Sequence, residues 1–488
     1  MDNSSPKKTP TLLASILPIG FLIVLLSVNV YIFQTDTLSG SNQIVLLIAS
    51  AVAGLVAMRF GYSFATLLEG ILHGINSSMQ AILILLLMGA LAGSWMVSGI
   101  VPAMIYYGLN LLNPTIFLFA SCIICGIVSL ATGSSWSTVA TVGIALLGIG
   151  RALGISDGMI GGAIISGAYF GDKMSPMSDT TNLAPAMAGT DLFTHIRYMT
   201  LTTVPSLVIT LCIYLVLGFS IEATQNVSIA EVQTAISQKF NLNPLLFVVP
   251  AVVITLIIKK MPALPALFIG MILGALAALI FQLPVIKEVS GQTNEGWEVY
   301  YRGIFKALYG TTKITTTNSM VNELLTTRGM AGMLNTIWLV LCAMIFGGIM
   351  EVSGMLQRIT TTIIGLAKST AGLIASTVGT CVFFNFTTSD QYLAIVVPGR
   401  MFAKTYRDRG LMPENLSRTL EDSATVTSVL IPWNTCGATQ ASVLGVATAV
   451  YAPFCFFNII SPMMTLFFAV LNIRIAKMQE PTPATETN

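Results

Sequence analysis

Residues Gly171 to Asp191 read GDKMSPMSDTTNLAPAMAGTD, which sets Asp172, Lys173, Asp179, Asn182 and a cluster of Ser and Thr between two apolar segments. Ionisable side chains at bilayer depth are costly unless they face a cavity or a partner, and they mark the paths of ions and polar solutes. Pro176 and Pro185 each lack the helical donor and leave a carbonyl unpaired. Irregular backbone is tolerated inside a membrane where it is buried in protein or lines a water-filled site. The stretch therefore predicts a broken helix around a binding site.

The rest of the chain supplies the membrane protein this requires. Of its 488 residues 54% are hydrophobic and 9% charged, against about a quarter charged in a soluble domain. Apolar runs near the ~20 residues needed to span recur at Leu12–Phe33, Gln43–Met58, Gln80–Ile100, Thr115–Leu130, Met199–Phe219, Pro244–Ile258, Ala263–Phe281, Ile337–Val352 and Phe454–Ile473. The expected class is an all-α polytopic membrane protein. Leu12–Phe33 is long and has no small-residue cleavage site, so it reads as a retained span rather than a signal peptide. A net charge of +2 and the lack of any long basic run argue against nucleic acid or an acidic partner. Cys122 and Cys125 form a C-x-x-C pair, but no second Cys or His pair lies near to complete a zinc site, and they read as packed small hydrophobes. No cofactor is expected.

Basic residues orient the spans. Lys7, Lys8, Arg59, Lys259, Lys260, the run Arg400–Arg418 and the pair Arg474, Lys477 belong on the cytoplasmic side, whereas Gln34–Asn42 and Pro102–Pro114 carry no Lys or Arg. Both termini are then inside, and Arg151, placed outside, is the exception. The two halves also match. Ser98-Gly99 and Ser134-Ser135-Trp136 stand at the same spacing as Ser353-Gly354 and Ser389-Asp390-Gln391, and Gly171-Asp172 pairs with Glu421-Asp422 at a slightly smaller one. Charge placement makes the halves inverted, an arrangement typical of secondary transporters with discontinuous helices. The expected organisation is N-terminal spans in 1–60, a first repeat of span, polar-tipped hairpin, broken helix and span in 61–220, connecting spans and linker in 221–331, a second repeat in 332–475 and a cytoplasmic tail in 476–488. The linker Leu283–Met330 is expected to hold a short interfacial helix.

Four polar elements are placed to converge: Thr132–Thr138 with Ser134 and Ser135, the break Asp172–Asn182 with Asp179 and Thr180, the tract Thr387–Asp390 with Ser389, and the break Pro432–Gly437 with Asn434 and Thr435. Hard cations take oxygen ligands, and these segments offer hydroxyls, amides, unwound carbonyls and carboxylates. A carboxyl group withdrawn from water favours its protonated form, so competition between H⁺ and a cation for one carboxylate suffices for exchange. Candidate carboxylates are Asp172, Asp179, Glu351, Asp390 and Asp422. Three of them have a named structural alternative: Asp172 as the partner of Lys173 or of a nearby helix end, Glu351 as a snorkelling interfacial residue, Asp422 as a helix cap. His195, beside Asp191 and Arg197, reads as a solvated residue at the cytoplasmic mouth, with pH sensing as its functional alternative.

The segments GAYFGDKMSPMSDTTNLAPAMAGTDLFTHI (167–196), IVSLATGSSWSTVATVGIALLGIG (127–150) and SRTLEDSATVTSVLIPWNTCGA (417–438) resemble the NhaC family of bacterial sodium/proton antiporters, and the resemblance runs from about Leu12 to Ile473. It implies the paired hairpins and broken helices of the wider ion-transporter group, homodimers, an elevator-like displacement, and Na⁺ and H⁺ as transported ions in the bacterial cytoplasmic membrane. Val429 stands where the family pattern leads one to expect Pro. Relatives in this group also exchange malate with lactate or carry amino acids, so a small organic anion or amino acid is the rival cargo. Arg commonly holds carboxylates, and an Arg in a hairpin tip or broken helix would favour that rival; none is expected in either place. Enzyme signatures such as H-E-x-x-H and G-x-S-x-G beside a His are missing, and no enzymatic activity is expected.

Overall fold

The computed structural model describes residues 9–33, 40–111, 113–220, 229–294 and 296–478; Lys7, Lys8, most of the Gln34–Asn42 loop and the last ten residues of the tail lie outside that set. The described residues are helical, with two isolated bridges, Thr312 with Thr327 and Leu411 with Lys477, in place of any strand. Eight helices among them are long and apolar enough to cross a membrane, or ten if two bent pairs each count as one span. Most expected spans appear close to their predicted limits, among them Leu12–Phe33, Ser41–Arg59, Met79–Val97 and Ala263–Phe281. Two are bent: Pro244–Ile258 meets Ala230–Lys239 at 92°, and Phe456–Val470 meets Thr448–Phe454 at 55°. The linker holds three helices, Leu283–Ser290, Trp297–Tyr309 and Ser319–Leu324. The middle one exposes Trp297, Tyr301, Phe305 and Tyr309, an i, i+4 aromatic stripe suited to a membrane interface.

Thr370–Thr387 is a further candidate span that its Thr and Ser content disguised. Thr377, Thr380 and Thr387 donate their hydroxyls to the carbonyls of Leu373, Ser376 and Phe383 four residues back, at 2.7–2.9 Å. Satisfied within the helix, these groups place little polarity on its surface.

Two polar-tipped hairpins and two broken helices are present. In the first hairpin Pro114–Thr132 ends at Gly133 and continues through Ser135–Thr138, a π-helical turn at Val139–Gly143 and Ile144–Ala152. Asn113 caps its start through Thr115 N–H at 2.7 Å. Gly133 takes a left-handed φ of 70°, and a Cβ there would lie 2.7 Å from the Met177 backbone. Only glycine lets this tip reach the first break. In the second hairpin Thr370–Thr387 passes into Gln391–Asp408 through Ser389, itself left-handed at φ 59°.

The first broken helix is Asp157–Met174 followed by Asp179–Ala188. Of its two prolines only Pro176 lies in the break. Pro185 sits inside the second half, so it interrupts no helix there. Asp157–Met174 packs so closely on Pro114–Thr132 that a Cβ on Gly167 would stand 2.1 Å from the Cys122 carbonyl oxygen; Cys122 and Cys125 are buried free thiols in that contact. The second broken helix runs from Pro413–Leu420 into a π-helical turn at Glu421–Thr425, a 3-10 turn at Ser428–Leu430 and then Thr435–Leu444. Val429 is fully buried in the 3-10 turn, and its carbonyl accepts from the Tyr451 hydroxyl at 3.0 Å. The chain thus leaves the α-helix here without a proline at 429.

Candidate ion-binding site

Both hairpin tips and both breaks meet at one cavity of about 570 Å³. Of the residues expected to form a site, Ser134, Asp172, Asp179, Thr180, Asn182, Asp390 and Thr435 line it. Its lining is oxygen-rich, with Thr132, Ser137 and Ser178 adding hydroxyls and Lys260 the only base.

Asp172 is buried and lines the cavity, and it is the lining carboxylate that accepts two donors from one residue. It does not pair with Lys173. Its Oδ2 accepts from the Ser135 backbone N–H at 3.0 Å and from the Ser135 hydroxyl at 2.6 Å, so the first hairpin tip presents the carboxylate of the first broken helix to the cavity. Ser135 itself stands behind the wall. Ser134 starts the short helix after the tip by accepting from Ser137 N–H at 3.2 Å. Asp390 does the same for the second hairpin, its Oδ1 accepting from Leu393 N–H at 2.9 Å. Asp179 is exposed to the cavity, and Asn182 ties the first break together by donating to the carbonyls of Pro176 and Ser178 at 2.9 and 2.7 Å.

The second break is fastened in a similar way. Thr435 N–H donates to the Ser389 carbonyl at 2.8 Å, joining the second tip to the second break. Asn434 caps the following helix through Cys436 N–H at 3.0 Å and donates to the Asn385 carbonyl at 3.0 Å. Asn434 and Ser389 therefore hold the wall without lining it. Gln391, absent from the sequence expectation, lines the cavity and accepts from Ser428 at 2.9 Å.

Three expected residues lie elsewhere. Glu351 is half-buried near the end of Leu334–Val352, off the cavity wall and within electrostatic range of Asp390 and His73. Asp422 neither caps a helix nor reaches the cavity. It forms a fully buried ion pair with Lys173 and also accepts from Thr202 at 2.7 Å and from Thr465, while Lys173 donates to Ser461 at 2.9 Å. One broken helix is thereby bonded to the other. His195 is fully buried instead of solvated, its Nδ1 sharing a hydrogen bond with Ser417 at 2.8 Å. Asp191 caps the helix Leu192–Ser220 through Thr194 N–H at 2.9 Å, and the hydrogen bonds from Thr194 hold its carboxyl below the usual range.

Two residues absent from the expected site bear on it, Glu421 beside the wall and Arg418 within the second broken helix. Glu421 is fully buried in the π-helical turn and accepts from the hydroxyl of Thr180 at 2.9 Å, one bond away from the cavity wall. Arg418 corrects the expectation that neither broken helix carries an arginine, because Pro413–Leu420 runs straight into the second break. It is fully buried with its guanidinium 4.6 Å from the Tyr198 ring, off the cavity wall.

A model of the Na⁺/H⁺ antiporter family matches residues 167–473, which hold both breaks and the second hairpin. The chain is 36% identical to the Na⁺/H⁺ antiporter NhaC of Alkalihalophilus pseudofirmus over 94% of its own length and 97% of that protein. It is 34% identical to the malate-2H⁺/Na⁺-lactate antiporter of Bacillus subtilis, over 94% and 95%. It is also 34% identical to the arginine/ornithine antiporter ArcD of Halobacterium salinarum, over 99% and 97%. With its polar tips and breaks gathered at one cavity and these matches along nearly its whole length, the chain belongs to the Na⁺/H⁺ antiporter family.

Proposed function

We propose that this chain is a multi-pass secondary transporter of the cytoplasmic membrane that exchanges Na⁺ for H⁺, with Asp172 as the carboxylate for which the two ions compete. The observation that carries this reading is the Asp172–Ser135 contact at the wall of a cavity built from both tips and both breaks. A carboxylate cradled by two donors keeps capacity for a cation, and Ser134, Thr180, Asp390 and Thr435 supply further oxygens on the same wall. Sodium takes such oxygen ligands. Asp179, being exposed, meets the ion first.

Alternating access follows if the halves 61–220 and 332–475 act as inverted repeats around the cavity, with both termini and Lys260 on the cytoplasmic side. On that orientation the cavity receives Na⁺ from the cytoplasm. A homodimer with an elevator-like displacement is the assembly and motion that fits the family. Exchange of a small organic anion or amino acid together with Na⁺ and H⁺ is the second reading. It is favoured by the cavity's size, about 570 Å³, which suits a small molecule better than a bare ion. Everted vesicles carrying the protein decide whether exchange occurs: added Na⁺ should dissipate a preformed proton gradient, and Asp172→Asn should leave that gradient intact. A gradient insensitive to Na⁺ in the wild type would overturn the reading.

A further inference from the structure

A second cavity, of about 500 Å³, meets two of the same helices at their other ends. Met79–Val97 gives Gln80 and Ile84 to the first cavity and Gly89 and Met96 to the second; Thr435–Leu444 gives Thr435 to the first and Ala441 to the second. Gly89 lies five positions after Ile84, about 7.5 Å along a helix, and the buried residues Leu85 and Met88 lie between them. The two cavities thus approach one thin apolar barrier from opposite sides.

Their charges are opposite. The first cavity's lining holds Asp172, Asp179 and Asp390 against Lys260, whereas the second is lined by Arg151 and Arg328 with no Asp or Glu. Arg151 gives its Nε and Nη2 to Asp157 at 2.8 Å each, so that pair is close to neutral. Arg328 is exposed and its guanidinium makes no hydrogen bond or ion pair among the described residues. Its charge is therefore the uncompensated one at this mouth.

We infer that the second cavity is the opposite access vestibule of the transport path, and that Arg328 makes it repel cations, setting the affinity for Na⁺ lower on that face than on the face of the first cavity. The inference rests on the exchange reading above. A vestibule lined by one sign of charge shifts the local concentration of ions, and a charge that repels Na⁺ at the release side discourages re-entry of an ion just expelled. Arg328 touches none of the proposed ligands, so it acts on affinity from that face and not on the exchange step.

The test compares Na⁺-driven proton movement in everted and right-side-out vesicles at ionic strengths of about 0.01 M and about 0.15 M set with choline chloride, where the screening length falls from about 30 Å to about 8 Å. In the wild type, half-saturating Na⁺ should be higher on the second cavity's face, and the gap should narrow at the higher ionic strength. At low ionic strength Arg328→Gln should lower that face's value by about twofold and Arg328→Glu by about fourfold, the scale of a unit charge acting on another roughly 10 Å away in water, with the other face unchanged. Exchange that persists with both faces unmoved by Arg328→Glu, or moved equally, would overturn this inference and leave the exchange reading standing. Loss of exchange in the wild type would overturn both.

Discussion

Asp172 is the residue on which the proposed chemistry turns, and its two bonds from Ser135 make separable predictions. Asp172→Asn keeps the shape and one oxygen but cannot exchange H⁺ for Na⁺, so Na⁺-dependent dissipation of a proton gradient should vanish while the protein still purifies as a folded species. Ser135→Ala removes the hydroxyl and keeps the backbone N–H. One hydrogen bond to a charged group is worth about 1.5 kcal/mol, so half-saturating Na⁺ should change by about tenfold in the same vesicle assay; an unchanged value would detach Ser135 from the site. Sequence spacing placed Asp172, Asp179 and Asp390 near one another because each lies at a break or a tip, where irregular backbone has few other uses in a membrane. It chose Asp422 over Glu421 because the phase of two adjacent acids depends on the local turn. A π-helical turn, bonding i to i+5, rotates the chain differently from an α-helix, and no periodicity in Glu421–Thr425 announces it. His195 was misplaced for a related reason: its partner Ser417 is 222 residues away along the chain.

At the scale of elements, the buried Lys173–Asp422 pair and the Thr180–Glu421 hydrogen bond join the two broken helices. Removing one partner of a buried pair leaves an uncompensated charge at a cost of about 3–5 kcal/mol, whereas replacing both with apolar groups of similar volume is often neutral. Lys173→Met and Asp422→Leu should each lower the unfolding temperature of detergent-purified protein sharply, and the double variant should recover most of the loss. Additive losses would show that the two side chains act independently. Helices with uninterrupted apolar runs were legible from composition. Thr370–Thr387 was less so, because its hydroxyls bond within the helix and their cost is invisible in a count of polar residues. The first break was legible at Pro176 but overextended to Pro185, which the helix Asp179–Ala188 accommodates.

For the whole molecule, the inverted-repeat proposal sets opposite sidedness for matched loops. Asn110 and Ser369 are both exposed, so a single Cys at Asn110 should react with an impermeant thiol reagent only from outside and one at Ser369 only from inside, with the exposed Cys212 and other reactive native cysteines removed. Labelling of both from one face would contradict the inverted arrangement. The two polar tips and two breaks were readable as matched spacings, whereas the cavity they enclose, and the second one beyond the barrier, depend on packing between segments hundreds of residues apart. The central claim is that Na⁺ and H⁺ compete for one carboxylate site without a further cargo. It is tested most directly by Na⁺ flux in proteoliposomes across a pH series, with and without malate, lactate or amino acids. Half-saturating Na⁺ should rise roughly tenfold per pH unit on the acid side of the site's titration, as single-proton competition requires, with maximal rate little changed and no need for an organic substrate. Flux that appears only when malate, lactate or an amino acid is present would contradict it.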